Sequence, residues 1–192
     1  MNGRLVNLAL YQAGWFACVL GAAHGRPHQG AAAALALTAV HVGLCRDRRG
    51  EAALVLLAGA VGATVDGAQS AAGVVAFHGG TILPWLAPIW IVALWMQFAT
   101  LLRFSLSWLA GRYALAAALG AVGGPLGFAG GARLGAATLH PWPWLSVASF
   151  AVVWAAVLPF LLWLASRFGS PASRYSWERG DEGADRSDMP VA

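Results

Sequence analysis

The chain has 192 residues, of which 59% are hydrophobic and 10% are charged, with 24 glycines and a formal net charge of +4. Soluble domains carry about 25% charged residues, so this composition excludes an ordinary soluble protein, and the abundance of apolar residues excludes a disordered one. The glycines have no three-residue period, which excludes collagen. A polytopic membrane protein remains.

Six apolar segments approach the roughly 20 residues that a helix needs to cross a hydrocarbon core of about 30 Å. They cover residues 5–23, 29–44, 51–77, 83–102, 113–139 and 145–164. The first is longer than the apolar part of a signal peptide and contains Asn7 and Gln12, so we interpret it as a span. The second is short and rich in alanine. We predict an all-α membrane protein, with a bundle of about six transmembrane helices over residues 1–166.

The positions of the arginines predict the orientation of the bundle. All 12 basic residues are arginines, and most of them fall on one side of a six-span arrangement, at Arg4, in the loop 46–49, in the connection 103–112 and in the tail from Arg167. Cytoplasmic loops concentrate basic residues, so both termini are expected in the cytoplasm. The tail 167–192 is poor in apolar residues and is expected to be disordered. Because the arginines flank apolar runs rather than sharing a face with aromatic residues, we expect no nucleic-acid partner.

Two segments are predicted to depart from plain spanning helices. A continuous helix over residues 83–110 would be about 42 Å long, so the part from Arg103 onward must break or leave the membrane, with Arg103 and Ser107 on its wet face. Pro125 in the Gly-rich fifth span removes a backbone hydrogen bond and predicts a kink. Cys18 and Cys45 belong to different membrane depths, so no disulfide is expected.

Asp66 is the acidic residue deepest within a predicted span. A carboxylate in hydrocarbon costs at least about 2.5 kcal/mol unless it is paired, hydrated or protonated. Gln69 lies on the same helix face, which predicts a polar cavity inside the bundle. The candidate residues of this cavity are Asp66, Gln69, Arg133, Gln97 and Gln12. The alternative is that Asp66 is half of a structural ion pair, whose partner would be Arg133.

Glycines recur every four residues along the fifth span, at Gly123, Gly127, Gly131 and Gly135. Such a stripe predicts close helix packing of the small-xxx-small kind. The alternative is that the missing side chains make room for a ligand or a moving helix, with Pro125 as the hinge. Both interpretations stay open from the sequence.

No metal, cofactor or catalytic residue is predicted. His24, His28, His78 and His140 map to the outer loops without the spacing of a ligand motif, and His41 maps to the inner interface. The signatures of serine hydrolases, zinc proteases, P-loop proteins, dinucleotide-binding folds and thiol redox proteins are absent, so the sequence leaves open whether the chain is an enzyme.

Three stretches together carry a family resemblance. They are NLALYQAGWFACVLG at residues 7–21, FATLLRFSLSWL at 98–109 and GGPLGFAGGARLG at 123–135. The chain resembles domain-of-unknown-function family 2878, small bacterial inner-membrane proteins, over about residues 4–166. The family has no established activity. The resemblance implies a place in the bacterial inner membrane and, because its members are encoded beside lipid-modifying enzymes such as cyclopropane-fatty-acid-synthase-like methyltransferases, a role in lipid metabolism or envelope stress.

The favoured function is to bind, modify or present a lipid or hydrophobic small molecule in the polar cavity. Arg133 would hold an anionic headgroup and Asp66 would exchange a proton. A small permease or transporter substrate-binding subunit is the first alternative, because a Gly/Pro-broken helix opposite an ionisable residue is common in transporters. A scaffold for lipid-modifying enzymes is the second. Membrane lipids are the expected partners, and the oligomeric state is left open.

Overall fold

The computed structural model describes residues 3–83, 85–168 and 175. Within them the chain forms six α-helices, which are α1 Gly3–Ala23, α2 Pro27–Leu44, α3 Arg48–Ala71, α4 Ile89–Leu102, α5 Tyr113–Arg133 and α6 Pro143–Ser166. Two short strands, β1 Val75–Phe77 and β2 Ala137–Leu139, follow α3 and α5. The prediction of a helical bundle is confirmed. The tail predicted to be disordered lies almost entirely outside the described residues.

Four of these helices, α1, α3, α5 and α6, are long and apolar enough to cross a membrane, and α4 is a shorter apolar helix. Their outer faces carry large apolar side chains in the open. Val152 is 71% exposed and Leu126 is 67% exposed, and both lie in the middle of their helices. Soluble monomers rarely expose such apolar surface in contiguous patches. These faces therefore suit contact with lipid.

The third and fifth predicted spans are too long, because their last residues form a two-stranded sheet. Both helices end before a glycine with positive φ, Gly73 at 73° after α3 and Gly135 at 90° after α5. The chain then pairs antiparallel, with Val75 opposite Leu139, Ala76 opposite Thr138 and Phe77 opposite Ala137. Gly135, one of the predicted packing glycines, is thus a turn residue beyond the helix. The sheet ties the end of α3 to the end of α5.

The fourth predicted span is shorter than expected at its start and ends where expected. A proline disfavours the helical conformation at the residue before it. Helix α4 therefore does not extend upstream of Pro88, and it begins at Ile89. The predicted break after Leu102 is confirmed, and a short 3₁₀ turn follows at Ser107–Leu109. The predicted wet face is wrong, since Arg103 is buried in ion pairs.

Helix α5 runs through Pro125 without interruption, so no break occurs there and a bend stays a prediction. Cys18 and Cys45 are both buried and free, which confirms the absence of a disulfide between them.

The helices pack in two groups. α2 and α3 pack on α4, α1 packs on α2 and α4, and α5 packs chiefly on α6. The space between the two groups holds the cavity described next.

Candidate functional site: an aromatic cavity beside Asp66

A cavity of about 420 Å³ lies between α1 and α4 on one side and α5 and α6 on the other. This volume lies within the range of about 300–1,000 Å³ that is typical of small-molecule sites. Much of its wall is aromatic, with rings from every side except α3, including Tyr11, Trp15, Trp90, Phe98, Phe128 and Trp154. Asp66 is the single charged residue among the described residues that line it. We call this space the aromatic cavity.

The Asp66 carboxylate is fully buried and is held by neutral donors. The indole Nε1 of Trp95 donates to Oδ2 at 2.7 Å, and Nε2 of Gln69 donates to Oδ1 at 3.4 Å. Gln69 in turn accepts a hydrogen bond of 2.8 Å from the hydroxyl of Ser149, which connects α3 to α6. The described part of the chain places no cationic side chain against Asp66.

Two stacked indoles form the wall next to this carboxylate. The rings of Trp95 and Trp154 lie 4.9 Å apart at an angle of 22°. Glycines make room for both rings, because a Cβ at Gly62 would collide with Trp95 and a Cβ at Gly124 would collide with Trp154. The indole nitrogen of Trp154 is buried and finds no hydrogen-bond partner among the described residues. The wall therefore retains one unused donor.

The five glycines of α5 that line the cavity divide into two sets. Gly120 and Gly124 lie against Trp154 of α6, so they provide the close helix contact within this chain. Gly123, Gly127 and Gly131 line the cavity, and a Cβ at any of them would meet no atom within 4 Å. Three of the four glycines predicted to pack helices therefore face open space in this chain.

Some of the α5 residues that line the cavity are exposed. Leu119, Gly123 and Gly127 line it and are themselves exposed on the bundle. All three lie within α5, a helix that is long and apolar enough to cross a membrane. The cavity is elongated, since it extends along α4 from Trp90 to Leu101, which is about 16 Å at about 1.5 Å per residue.

A second polar cluster lies at the opposite end of α3. Glu51 is fully buried, and its two oxygens contact His41 Nε2 at 3.0 Å and Arg103 at 3.2 Å. Arg103 also donates to Asp47 at 3.0 Å. The phenol of Tyr175 bonds to the other ring nitrogen of His41 at 2.9 Å. We call these five residues the inner network.

The two acidic residues of the inner network differ in exposure. Asp47 is 45% exposed and caps α3. The backbone N–H of Gly50 and the Arg103 guanidinium together hold the pKa of Asp47 below its usual value of 3.8.

Burial raises the pKa of the neighbouring Cys45 to about 12, so this residue is a thiol rather than a thiolate.

A family model described as a protein of unknown function, DUF2878, matches residues 4–160. The chain belongs to the DUF2878 family. This confirms the resemblance seen in the sequence, and the matched region contains the whole of the aromatic cavity. Neither the curated proteins nor the solved structures contain a match to this DUF2878 protein.

The polar residues predicted to share a cavity with Asp66 are dispersed in this DUF2878 protein. Gln69 contacts Asp66, as described. Gln97 is buried and donates to the backbone oxygen of Leu10 at 2.7 Å, which joins α4 to α1, while its own Oε1 has no partner among the described residues. Gln12 and Arg133 are exposed and lie outside the cavity lining.

The ion pair between Asp66 and Arg133 that the sequence allowed is not formed. Arg133 occupies the last turn of α5, where a cation interacts favourably with the helix terminus and with water at the interface. Asp66 faces the interior from α3 and is bonded to Trp95 and Gln69 instead. The rotation of each helix, which hydropathy does not reveal, decides this outcome.

The inner network was missed by sequence reasoning. His41 was predicted at the interface and Arg103 on a wet face, yet they are 1% and 3% exposed. Glu51 is the first residue of the third predicted span, and the sequence assigned no role to it. The signal that could have found the network is the presence of Asp47 and Glu51 four positions apart, on one helix turn beside several arginines.

The described residues contain one group that could hold a metal ion. Nε2 of His41, Sγ of Cys45 and a carboxylate oxygen of Glu51 lie within 4.8 Å of one another. Each already has protein partners, because Nε2 contacts Glu51 and Glu51 also pairs with Arg103. Cys45 and Glu51 meet the same ring nitrogen, so His41 cannot relay a proton between them as the base of a catalytic triad does. The arrangement is best described as a buried ion-pair network, in which the Nε of Arg103 has no hydrogen-bond partner among the described residues.

Proposed function

We propose that this DUF2878 protein binds the apolar part of a lipid or another hydrophobic molecule in the aromatic cavity. One observation carries the proposal, namely that cavity-lining glycines of a membrane-length helix are exposed. A molecule in the bilayer can thus enter the cavity past the exposed glycines of α5, without passing between the loops. The elongated shape along α4 suits a chain lying roughly parallel to the helices.

The physical basis of selectivity differs from that of a soluble pocket. Lipid tails are as apolar as the cavity wall, so transfer from the bilayer yields little hydrophobic free energy. Van der Waals contact with a rigid aromatic wall and one polar contact must then distinguish the ligand from bulk lipid. The stacked rings of Trp95 and Trp154 supply the van der Waals contact, and Asp66 supplies the polar contact.

The membrane arrangement belongs to the same proposal. We place all six helices across the bacterial inner membrane with both termini in the cytoplasm, supported by the arginines around the α2–α3 loop and the start of α5. Helix α2 has 18 residues and packs on α1 and α4, which supports a span despite its low hydropathy. Membrane lipids are the proposed partners. An association with lipid-modifying enzymes is supported by the family resemblance alone.

Lipid that copurifies with the protein tests the proposal. Gly127→Leu places a bulky side chain in the cavity, whereas Gly43→Leu alters an exposed helical glycine of α2 that also has no neighbour within 4 Å of its Cβ position. Native mass spectrometry of wild type and Gly43→Leu should show a retained hydrophobic molecule that Gly127→Leu lacks. Equal occupancy in all three proteins would contradict the proposal.

Transport is a second candidate, favoured by the position of Asp66. An ionisable group that faces a cavity from within a membrane-spanning helix commonly marks a substrate or ion path. Uptake of a hydrophobic substrate into proteoliposomes, lost in Asp66→Asn, would support it. Binding without uptake would restrict the function to binding or presentation.

A further inference from the structure

We infer that the aromatic cavity takes a ligand that carries a positive charge on an apolar body, such as a quaternary ammonium, a protonated amine or a phosphonium, with the charge beside Asp66. The inference rests on the proposed function, because it names the ligand class of the same cavity. It specifies the sign of the ligand's charge from the residues that line the cavity.

The first step is the uncompensated carboxylate. Asp66 is 0% exposed, and its described partners, Trp95 and Gln69, are neutral. A buried charge is costly unless a charge of opposite sign or a proton accompanies it. Since the chain supplies no described cation there, a cationic ligand is the partner that would neutralise the ionised carboxylate when the cavity is filled.

The second step is the aromatic wall around that carboxylate. The ring of Phe98 lies 5.1 Å from Trp154 and 6.2 Å from Tyr11, and Trp154 stacks on Trp95. These rings form one continuous surface next to Asp66. A cation within about 6 Å of an aromatic ring face is attracted by the negative face of the ring, and aromatic cages are the usual recognition site for quaternary ammonium groups.

The third step excludes the opposite charge. The sequence suggested that Arg133 would hold an anionic headgroup, but Arg133 is exposed and lies outside the lining. No arginine or histidine of the described residues lines the cavity. An anion would therefore lie near the Asp66 carboxylate without a counter-charge, and the unpartnered indole N–H of Trp154 is a neutral donor that does not supply one, so the cavity disfavours an anion.

Equilibrium dialysis of the full-length protein in a maltoside detergent tests the inference. The probes are tetraphenylphosphonium, an apolar cation, and triphenylphosphine oxide, an uncharged analogue. Wild type should bind the cation roughly tenfold more tightly than the oxide, the scale of a desolvated cation–π contact. Asp66→Asn should lose this preference, because its affinity for the cation falls. Asp47→Asn removes a carboxylate remote from the cavity and should behave as wild type.

Equal affinities of wild type for the two probes, or an unchanged cation affinity in Asp66→Asn, would overturn the inference while leaving hydrophobic binding intact. Binding of neither probe, together with the absence of copurified lipid, would instead overturn the proposed function. If Asp66→Asn fails to fold, Phe98→Leu decides. Removing this lining ring should weaken cation binding about threefold more than oxide binding, and equal weakening would contradict the inference.

The positive charge could belong to a free amphiphilic amine or to the headgroup of a zwitterionic phospholipid. Nanodiscs of phosphatidylglycerol, with and without phosphatidylethanolamine, distinguish the sources. Competition by the headgroup ammonium should lower the apparent affinity of wild type for tetraphenylphosphonium as the share of phosphatidylethanolamine rises, and should do so only while Asp66 is present. An affinity that is insensitive to this lipid would assign the charge to a free amine.

Discussion

The indole of Trp95 donates a 2.7 Å hydrogen bond to Asp66, so one residue contributes both an aromatic wall and the principal donor to the carboxylate. Trp95→Phe should keep most of the ring surface and remove the donor. Leaving a buried acceptor without its partner costs about 1–3 kcal/mol, so the free energy of unfolding should fall by this amount. Denaturant-induced unfolding in detergent measures it.

Trp90→Phe is the control for this substitution. The indole of Trp90 donates to the loop carbonyl of Gly79 at the longer distance of 3.3 Å, in a partly buried position. Its loss should cost less than the loss at Trp95. Equal costs would indicate that the bond to Asp66 has no special weight.

Adjacent glycines of α5 offer a matched pair. Gly124→Ala drives a methyl group into Trp154 and should destabilise the protein by at least about 1 kcal/mol, the scale of an overpacked core. Gly123→Ala meets no atom within 4 Å and adds a better helix former, so stability should be unchanged or slightly higher. Melting temperatures of the two variants report the difference, and similar losses would contradict the assignment of Gly124 to helix packing.

Removal of Glu51 should be the most damaging change in the inner network. Glu51→Ala leaves Arg103 buried without its buried partner, and breaking a buried ion pair in this way costs about 3–5 kcal/mol. Asp47→Asn removes the exposed partner of the same arginine and should cost less than about 1 kcal/mol. Unfolding curves that rank the two in the opposite order would refute this account.

Asp47 should give the protein a pH dependence in the acidic range. Its pKa is lowered in the folded state by the Gly50 N–H and by Arg103, so the unfolded chain takes up a proton at higher pH than the folded one. The resulting stabilisation is present above the ordinary value of 3.8 and is lost as pH falls through the lowered folded value. The effect is small because the side chain is half exposed.

Melting temperatures of wild type and Asp47→Asn measured from pH 6 down to pH 3 check this. Wild type should lose more stability than the variant below pH 3.8, and the two curves should run parallel above it. Parallel curves over the whole range would mean that Asp47 titrates at the same pH in both states.

Hydropathy predicted the helices well because the bilayer requires apolar runs of a given length. It overran α3 and α5 because the apolar residues of β1 and β2 continue each run, and a short apolar strand cannot be distinguished from helix by periodicity. The burial of Asp66 was predictable from its charge alone. The partner of Asp66 was not predictable from the sequence. Whether Asp66 contacts Trp95 or Arg133 depends on how each helix is rotated about its axis, and a neutral partner such as Trp95 carries no charge that would indicate the contact.

The order in which the protein assembles in the membrane follows from the pairing of β1 with β2. Phe77 is synthesised before α4 and Ala137 after α5, so the two strands cannot meet until both helices have been made. A chain that ends before β2 also lacks α6, so Trp95 and Gln69 around Asp66 would be without their contacts to Trp154 and Ser149. The sheet is thus a late closure of the fold, after which α6 is the one described helix still to be added.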